Sequence, residues 1–195
     1  MKFHIRFVIV LPFVAAMIST AAANEAFKID PANSTIGFRL GHMLGKVNGK
    51  FTKFDGRIDL SREHPQQSSV TVRIQASSID TGIAKRDAHL RSEEFFNVAK
   101  YPEITFKSRS VKQTDAQSGD VQGDLTMHGV SRPITLHVKL VTPLNESMQR
   151  SRWEVTSDPI KRGEFGLMFK PSLEAVSMIG KEVTPRIEIE ALREK

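Results

Sequence analysis

Apolar residues at every second position recur through most of this chain, and that period governs what it can fold into. Val70, Val72, Ile74 and Ala76 alternate with Thr71, Arg73 and Gln75. Val121, Leu125 and Met127 oppose Gln122, Asp124, Thr126 and His128, and Ile134, Leu136, Val138 and Leu140 repeat the pattern. Successive side chains of a strand point to opposite faces, so each run has one apolar and one polar face. Weaker alternation marks Ile36–Leu40, Val47–Leu60 (with Phe51, Phe54 and Ile58), Trp153–Val155 and Val183–Ile189. The count is about eight strands, joined by links such as Gly129–Pro133 that are short enough for hairpins. Such a set closes as an antiparallel barrel or sandwich. The inward set is Ile, Val, Phe, Leu and Met, so any cavity is apolar. A membrane barrel would carry its apolar band outside instead.

One stretch, Thr81 to Phe106, breaks the period. Lys85, Arg86, Asp87, His89, Arg91, Glu93 and Glu94 crowd together and are followed by Phe95 and Phe96. Ala84, Ala88 and Leu90 have the spacing of a short helix with one modest apolar face. Asp87 and Arg91 are four apart and are expected to pair on it. Tyr101-Pro102 ends the excursion, because proline pushes its predecessor out of the helical region. The reading is a helix with an aromatic plug, closing one end of the sheet system.

The first residues are expected to lie outside the fold. Lys2 and Arg6 precede an apolar run, Phe7 to Ile18, that is too short to span a bilayer. Ala21-Ala22-Ala23 is a small-residue cleavage pattern, which places the cut between Ala23 and Asn24. Residues 1–23 are thus expected to be a signal peptide and 24–195 one domain. With no cysteine, the exported chain relies on its core and ladders alone, which suits a periplasm. Without Lys2 and Arg6, 26 of the 28 cations face 22 acids, a net charge of +4. No polybasic run appears, so nucleic-acid binding is not expected; the charges read first as a solvated outer face, with weak attraction to an anionic lipid surface as the alternative.

Several segments together resemble the YceI family: SSIDTG at 77–82, KRDAHLRSEEFF at 85–96, YPEITFKS at 101–108 and GDLTMHGVSRPITL at 123–136. GHMLGKVNGKFTKFDGRI at 41–58 and KRGEFGL at 161–167 extend the resemblance over essentially all of 24–195. It implies an all-β fold: an eight-stranded, antiparallel, extended lipocalin-like barrel with a short helix, about 84–96, at one end. It also implies a periplasmic carrier, not an enzyme. The expected cargo is a long-chain amphiphile in an apolar tunnel: a polyisoprenoid, an isoprenoid quinone or a fatty-acid derivative. No cofactor is expected beyond that lipid or isoprenoid. Transient membrane contact and a homodimer stay open as partner states. The chain departs from the family pattern at Asn33-Ser34, at Arg162-Gly163-Glu164-Phe165-Gly166, and at Pro185, which forbids a ladder bond and hints at a bulge.

Phenylalanine outnumbers tyrosine twelve to one, and rings without hydroxyls suit a dry tunnel. The candidate wall is Phe38, Leu44, Phe51 and Phe54 from the first half, with Phe95, Phe96, Phe106 and Phe165. Taken singly, each reads equally well as barrel core. Candidates for the polar head group are Arg39, His42, Arg86, His89, Arg91 and Arg162, since guanidinium forks suit oxyanions. Taken singly, each arginine reads as an ion pair or helix cap. The histidines have no metal-ligand spacing. The alternatives are a lipid-modifying enzyme using Asp87, His89 and Glu93, or an accessory partner of a membrane redox protein.

Overall fold

The computed structural model of this chain describes residues 24–42, 45–142, 149–168 and 179–194. The proposed leader with Ala23, and Leu44, lie outside the described residues, as do the side chain of His42 and much of the irregular stretch Lys161 to Leu173.

The alternating runs form strands. They are β1 (Glu25–Ile29), β2 (Thr35–His42), β3 (Gly45–Phe51), β4 (Phe54–Leu60), β5 (Ser69–Gln75) and β6 (Ile79–Asp80). After the helix α1 (Ala84–Arg91) come β7 (Glu103–Asp115), β8 (Ser118–Met127) and β9 (Val130–Leu140). The last are β10 (Arg150–Ser157), β11 (Ile160–Lys161) and β12 (Ile179–Arg193). Eight of them close an antiparallel ring, β1-β4-β5-β7-β8-β9-β10-β12, through the pairing of β1 with β12. Closure leaves the ring without a bare edge. The lipocalin-like barrel is therefore present, with one helix among the described residues.

Twelve segments appear where about eight strands were expected: the expected run Val47–Leu60 divides into β3 and β4, and β1, β6 and β11 are additional, two of them set off from their neighbours by kinks. β1 and β2 are divided at Asp30–Ser34, β3 and β4 at Thr52–Lys53, and β5 and β6 by a short 3-10 turn at Ala76–Ser78. The first kink is stapled: Ser34 Oγ accepts from the Glu190 N–H at 2.9 Å, and Asp30 N–H donates to the Glu190 carbonyl at 2.8 Å. The Asp30 carboxylate accepts from the Asn33 amide at 2.8 Å and the Ala32 N–H at 3.0 Å. Those bonds favour its charged form and hold it below the usual carboxylate range. Beyond the kinks, β2, β3 and β6 extend from β12 as a short flap. The β12 register shifts between Ile179 and Val183, just before Pro185.

The hairpin of β8 and β9 is tighter than the Gly129–Pro133 link suggests. It turns on His128 and Gly129, with φ of 53° and 75°, the two positive values of a type I′ turn. Pro133 falls inside β9. The helix is shorter than expected, since Ser92 turns extended with ψ 171°. Its hydroxyl donates back to the His89 carbonyl at 2.8 Å and accepts from the Glu94 N–H at 3.3 Å, which ends the helix before Phe95. Asp87 and Arg91 do not pair. Asp87 is buried and accepts from the backbone N–H (3.0 Å) and hydroxyl of Thr81; Arg91 donates to the carbonyls of Ser77 (2.7 Å) and Ile79 (2.6 Å).

Two apolar clusters form the core, and the first of them also borders the interior void. Phe27, Ile29, Ile36, Ile58, Val155 and Ile189 form one, around β1 and β12. Ile79, Phe95, Phe96, Ile104, Phe165 and Leu167 form the other, beside α1. In the second, Phe38 stacks near Phe51, Phe51 meets Phe96 edge-on at 6.2 Å, and Phe96 meets Phe95 at 5.4 Å. This is the aromatic plug, and it seals the α1 end.

Candidate functional site: an aliphatic cavity with a polar mouth

The inward residues do not fill the barrel. A cavity of about 250 Å³ remains along its length. Val70, Val72 and Ile74 of β5 form one wall; Ile134, Leu136 and Val138 of β9 form another. Val121 and Leu125 of β8, with Ile187 and Ile189 of β12, complete much of the rest. The inward residues of β5 and β9 are only half-buried although they face away from bulk water, because their side chains border the void. At ~3.3 Å per residue, Ile134 to Leu140 alone covers roughly 20 Å of strand.

Polarity is confined to one end. Ser61, Arg62 and Ser68 line the cavity between β4 and β5, and Gln113, Asp115 and Gln117 line it at the β7–β8 turn. Among the described residues, Arg62 and Asp115 are the only charged ones in the lining. Gln113, Asp115 and Gln117 are exposed, which makes this end the mouth. Arg62 donates to Glu25 at 2.8 Å, and Arg193 approaches the same carboxylate at 3.7 Å. The mouth lies opposite α1, whose end is plugged.

The residues singled out from sequence fall in different places. Phe106 lines the cavity. Phe95, Phe96 and Phe165 belong to the plug, with Phe38 and Phe51 packed against them, and Phe54 belongs to the other cluster. The arginines tie chain to chain. Arg86 donates to Thr81 at 2.7 and 2.9 Å, and Arg39 donates to Asn48 at 3.1 Å on the outer face. Arg162 is 3 % exposed and donates to the carbonyls of Leu167 and Gly180 at 2.7 and 3.0 Å. His89 lies 3.7 Å from Glu94, and Asp87 accepts from Thr81. None of the five described head-group candidates lines the cavity. No group of three acids and histidines that could hold a metal occurs among the described residues.

The sequence reading makes the inward faces apolar but does not single out the aliphatic wall or the mouth as the site. The wall was already visible as the cleanest alternation in the chain. Ser61, Arg62 and Gln117 carried no signal, since loops are polar whether or not they surround an opening.

The fold and the cavity define a class: a closed, antiparallel, lipocalin-like barrel, hollow and apolar, with polar groups at one opening. The YceI-like domain pattern matches residues 27–191, and the chain belongs to that family. It is 42% identical over 135 residues to protein YceI of Shigella sonnei, covering 67% of this chain and 70% of the relative. Among solved structures it resembles BcnA of Burkholderia cenocepacia, with a TM-score of 0.76 and 22% identity over 83% of this chain and 98% of the other. A second, from Saccharophagus degradans, described as a polyisoprenoid binding domain, has a TM-score of 0.64 and 19% identity over 86% and 98% of the two chains.

Proposed function

We propose that this protein is a non-catalytic carrier of one long-chain amphiphile, held tail inward with its polar end at the mouth. The observation that carries this is the segregation of the cavity lining: an aliphatic interior, with both charged residues of the described lining at one opening. The description of the Saccharophagus degradans domain as polyisoprenoid-binding supports the same reading. The cargo is a polyisoprenoid, an isoprenoid quinone or a fatty-acid derivative. The protein works in a periplasm after losing residues 1–23, and it loads by brief contact with a membrane.

Energetics favour exchange over permanent capture. At ~30 Å³ per water-sized group, a cavity of about 250 Å³ accepts roughly eight methylenes. Burying them gains about 6 kcal/mol gross over water. A bilayer offers the tail the same environment, so transfer between membrane and barrel is nearly neutral. A carrier needs that balance, because cargo must be both taken up and released.

Native mass spectrometry of protein purified from its own cells tests the reading. The expected spectrum shows a chain beginning at Asn24 with one lipid mass attached. A chain with no adduct, from several growth conditions, would count against the carrier role. A chain retaining residues 1–23 would count against export.

A further inference from the structure

We infer that Phe106 sets the length of tail the barrel accepts, its ring acting as the stop between the cavity and the plug. This rests on the carrier reading and adds to it the residue that selects among cargoes by chain length.

The deep limit of the cavity falls at one residue on each strand of the wall. On β5 the last lining residue is Ile74, and the next inward one, Ala76, belongs to the cluster beside α1. On β8 the last is Leu125, and Met127 beyond it packs against that cluster. On β7 the last is Phe106, and Ile104 beyond it is part of the cluster. Phe106 is the largest of these three boundary side chains and is 7 % exposed.

Its ring leans toward the mouth. Phe106 pairs with Leu125 across the ladder, and Ser108, two residues nearer the mouth, pairs with Gly123. A Cβ on Gly123 would meet Phe106 Cζ at 2.6 Å and Cε2 at 2.8 Å, so the ring lies directly over that glycine. Val121, Gly123 and Leu125 are successive inward positions of β8. Val121 and Leu125 line the cavity while Gly123 between them does not, because the ring covers it. The phenyl group thus crosses from β7 to β8 and takes the space along which a tail would otherwise continue. Val72 and Leu125, its neighbours in register on β5 and β8, flank it on both sides. A tail entering from the mouth therefore runs along the aliphatic walls and ends against the ring.

The probes are saturated fatty acids of eight to sixteen carbons, in competition with a fluorescent fatty acid. In wild type, affinity is expected to rise about fourfold per carbon and to level off at roughly ten carbons, the length that fills the void. Phe106→Ala leaves room for roughly three more carbons at ~30 Å³ each, so the levelling point should move to about thirteen. Tetradecanoic acid should then bind the variant on the order of fiftyfold tighter than wild type. Octanoic acid, too short to reach the ring, should bind both alike, which a general loosening of the barrel would not produce. Phe106→Leu, a smaller change, is the second variant, with an expected shift of about one carbon. If wild type and the folded variants level off at the same length, or wild type gains affinity steadily to sixteen carbons, this inference is overturned while the carrier reading stands. If wild type binds none of the acids, both are overturned. Should neither variant fold, a nuclear Overhauser contact between the terminal methyl of bound decanoic acid and the Phe106 ring in wild type decides alone: its presence supports the stop, and its absence overturns it.

Discussion

Arg162 Nη1 donates to the carbonyl of Leu167 at 2.7 Å inside the sealed end of the barrel, where both residues are almost fully buried. A guanidinium in such a place caps backbone carbonyls that the 3-10 turn Arg162–Phe165 leaves over, and it bonds Gly180 of β12 as well. It ties the plug to the last strand. A cargo head group at the mouth is remote from it.

Arg162→Ala is therefore expected to lower unfolding free energy by roughly 2–4 kcal/mol, since it strands the buried Leu167 carbonyl and the half-buried Gly180 carbonyl, both of which accept from a charged donor. Urea denaturation measures this. Affinity of the folded fraction for methyl laurate should stay unchanged, and a large loss of affinity without loss of stability would reverse the assignment.

Narrowing the void should do the opposite. Val138 lines the cavity and is only half-buried. Val138→Phe places a ring where about two methylenes of cargo would lie, which corresponds to roughly tenfold weaker binding at ~0.8 kcal/mol each. Thermal stability should hold or rise slightly. Unchanged affinity in a competition titration would show that the tail does not reach β9.

Gly123 gives a sharper steric test. A Cβ there would lie 2.5 Å from the Lys107 carbonyl oxygen and 2.6 Å from Phe106 Cζ. Gly123→Ala must displace a ladder carbonyl and a cavity-lining ring together, and a cost of about 1–3 kcal/mol is expected. Gly41→Ala is the control, because a Cβ there meets nothing within 4 Å. Melting curves of the two variants should separate clearly.

Asp30 supplies a pH dependence with a definite sign. Its carboxyl is held below the usual carboxylate range by the Asn33 amide and then the Ala32 N–H. A depressed folded pKa contributes stability above the unfolded value, and that contribution fades as pH falls through the folded one. Asp30→Asn should thus melt below wild type at neutral pH, and the gap should shrink as pH falls from about 4 downward. A gap that widens on acidification would rule out this role for the bend.

The barrel was legible because its strands are amphipathic and a period of two admits little else. Val70-Val72-Ile74 and Ile134-Leu136-Val138 gave both the strands and, unrecognised, the walls of the cavity. The abundance of phenylalanine reports the plug instead: Phe95, Phe96 and Phe165 fill the barrel end, and of the described phenylalanines only Phe106 borders the void. The arginine roles were not legible, because Arg91 and Arg162 bind carbonyls of residues 12 and 5 positions away, which no side-chain spacing encodes. The strand kinks were hidden for the same reason, since Ser34 and Glu190, 156 residues apart, hold the first of them.

The long strand β12 binds β2 and then β1 along one side, and β11 and then β10 along the other. A nascent or clipped chain lacking Ile179–Arg193 would thus present two unpaired borders at once, along β1–β2 and along β10. Such borders template association with other chains. Quality control in the cell would meet this protein as an adhesive, open sheet until its last strand arrived, and proteolytic loss of that strand would turn a lipid vessel into a seed for clumping.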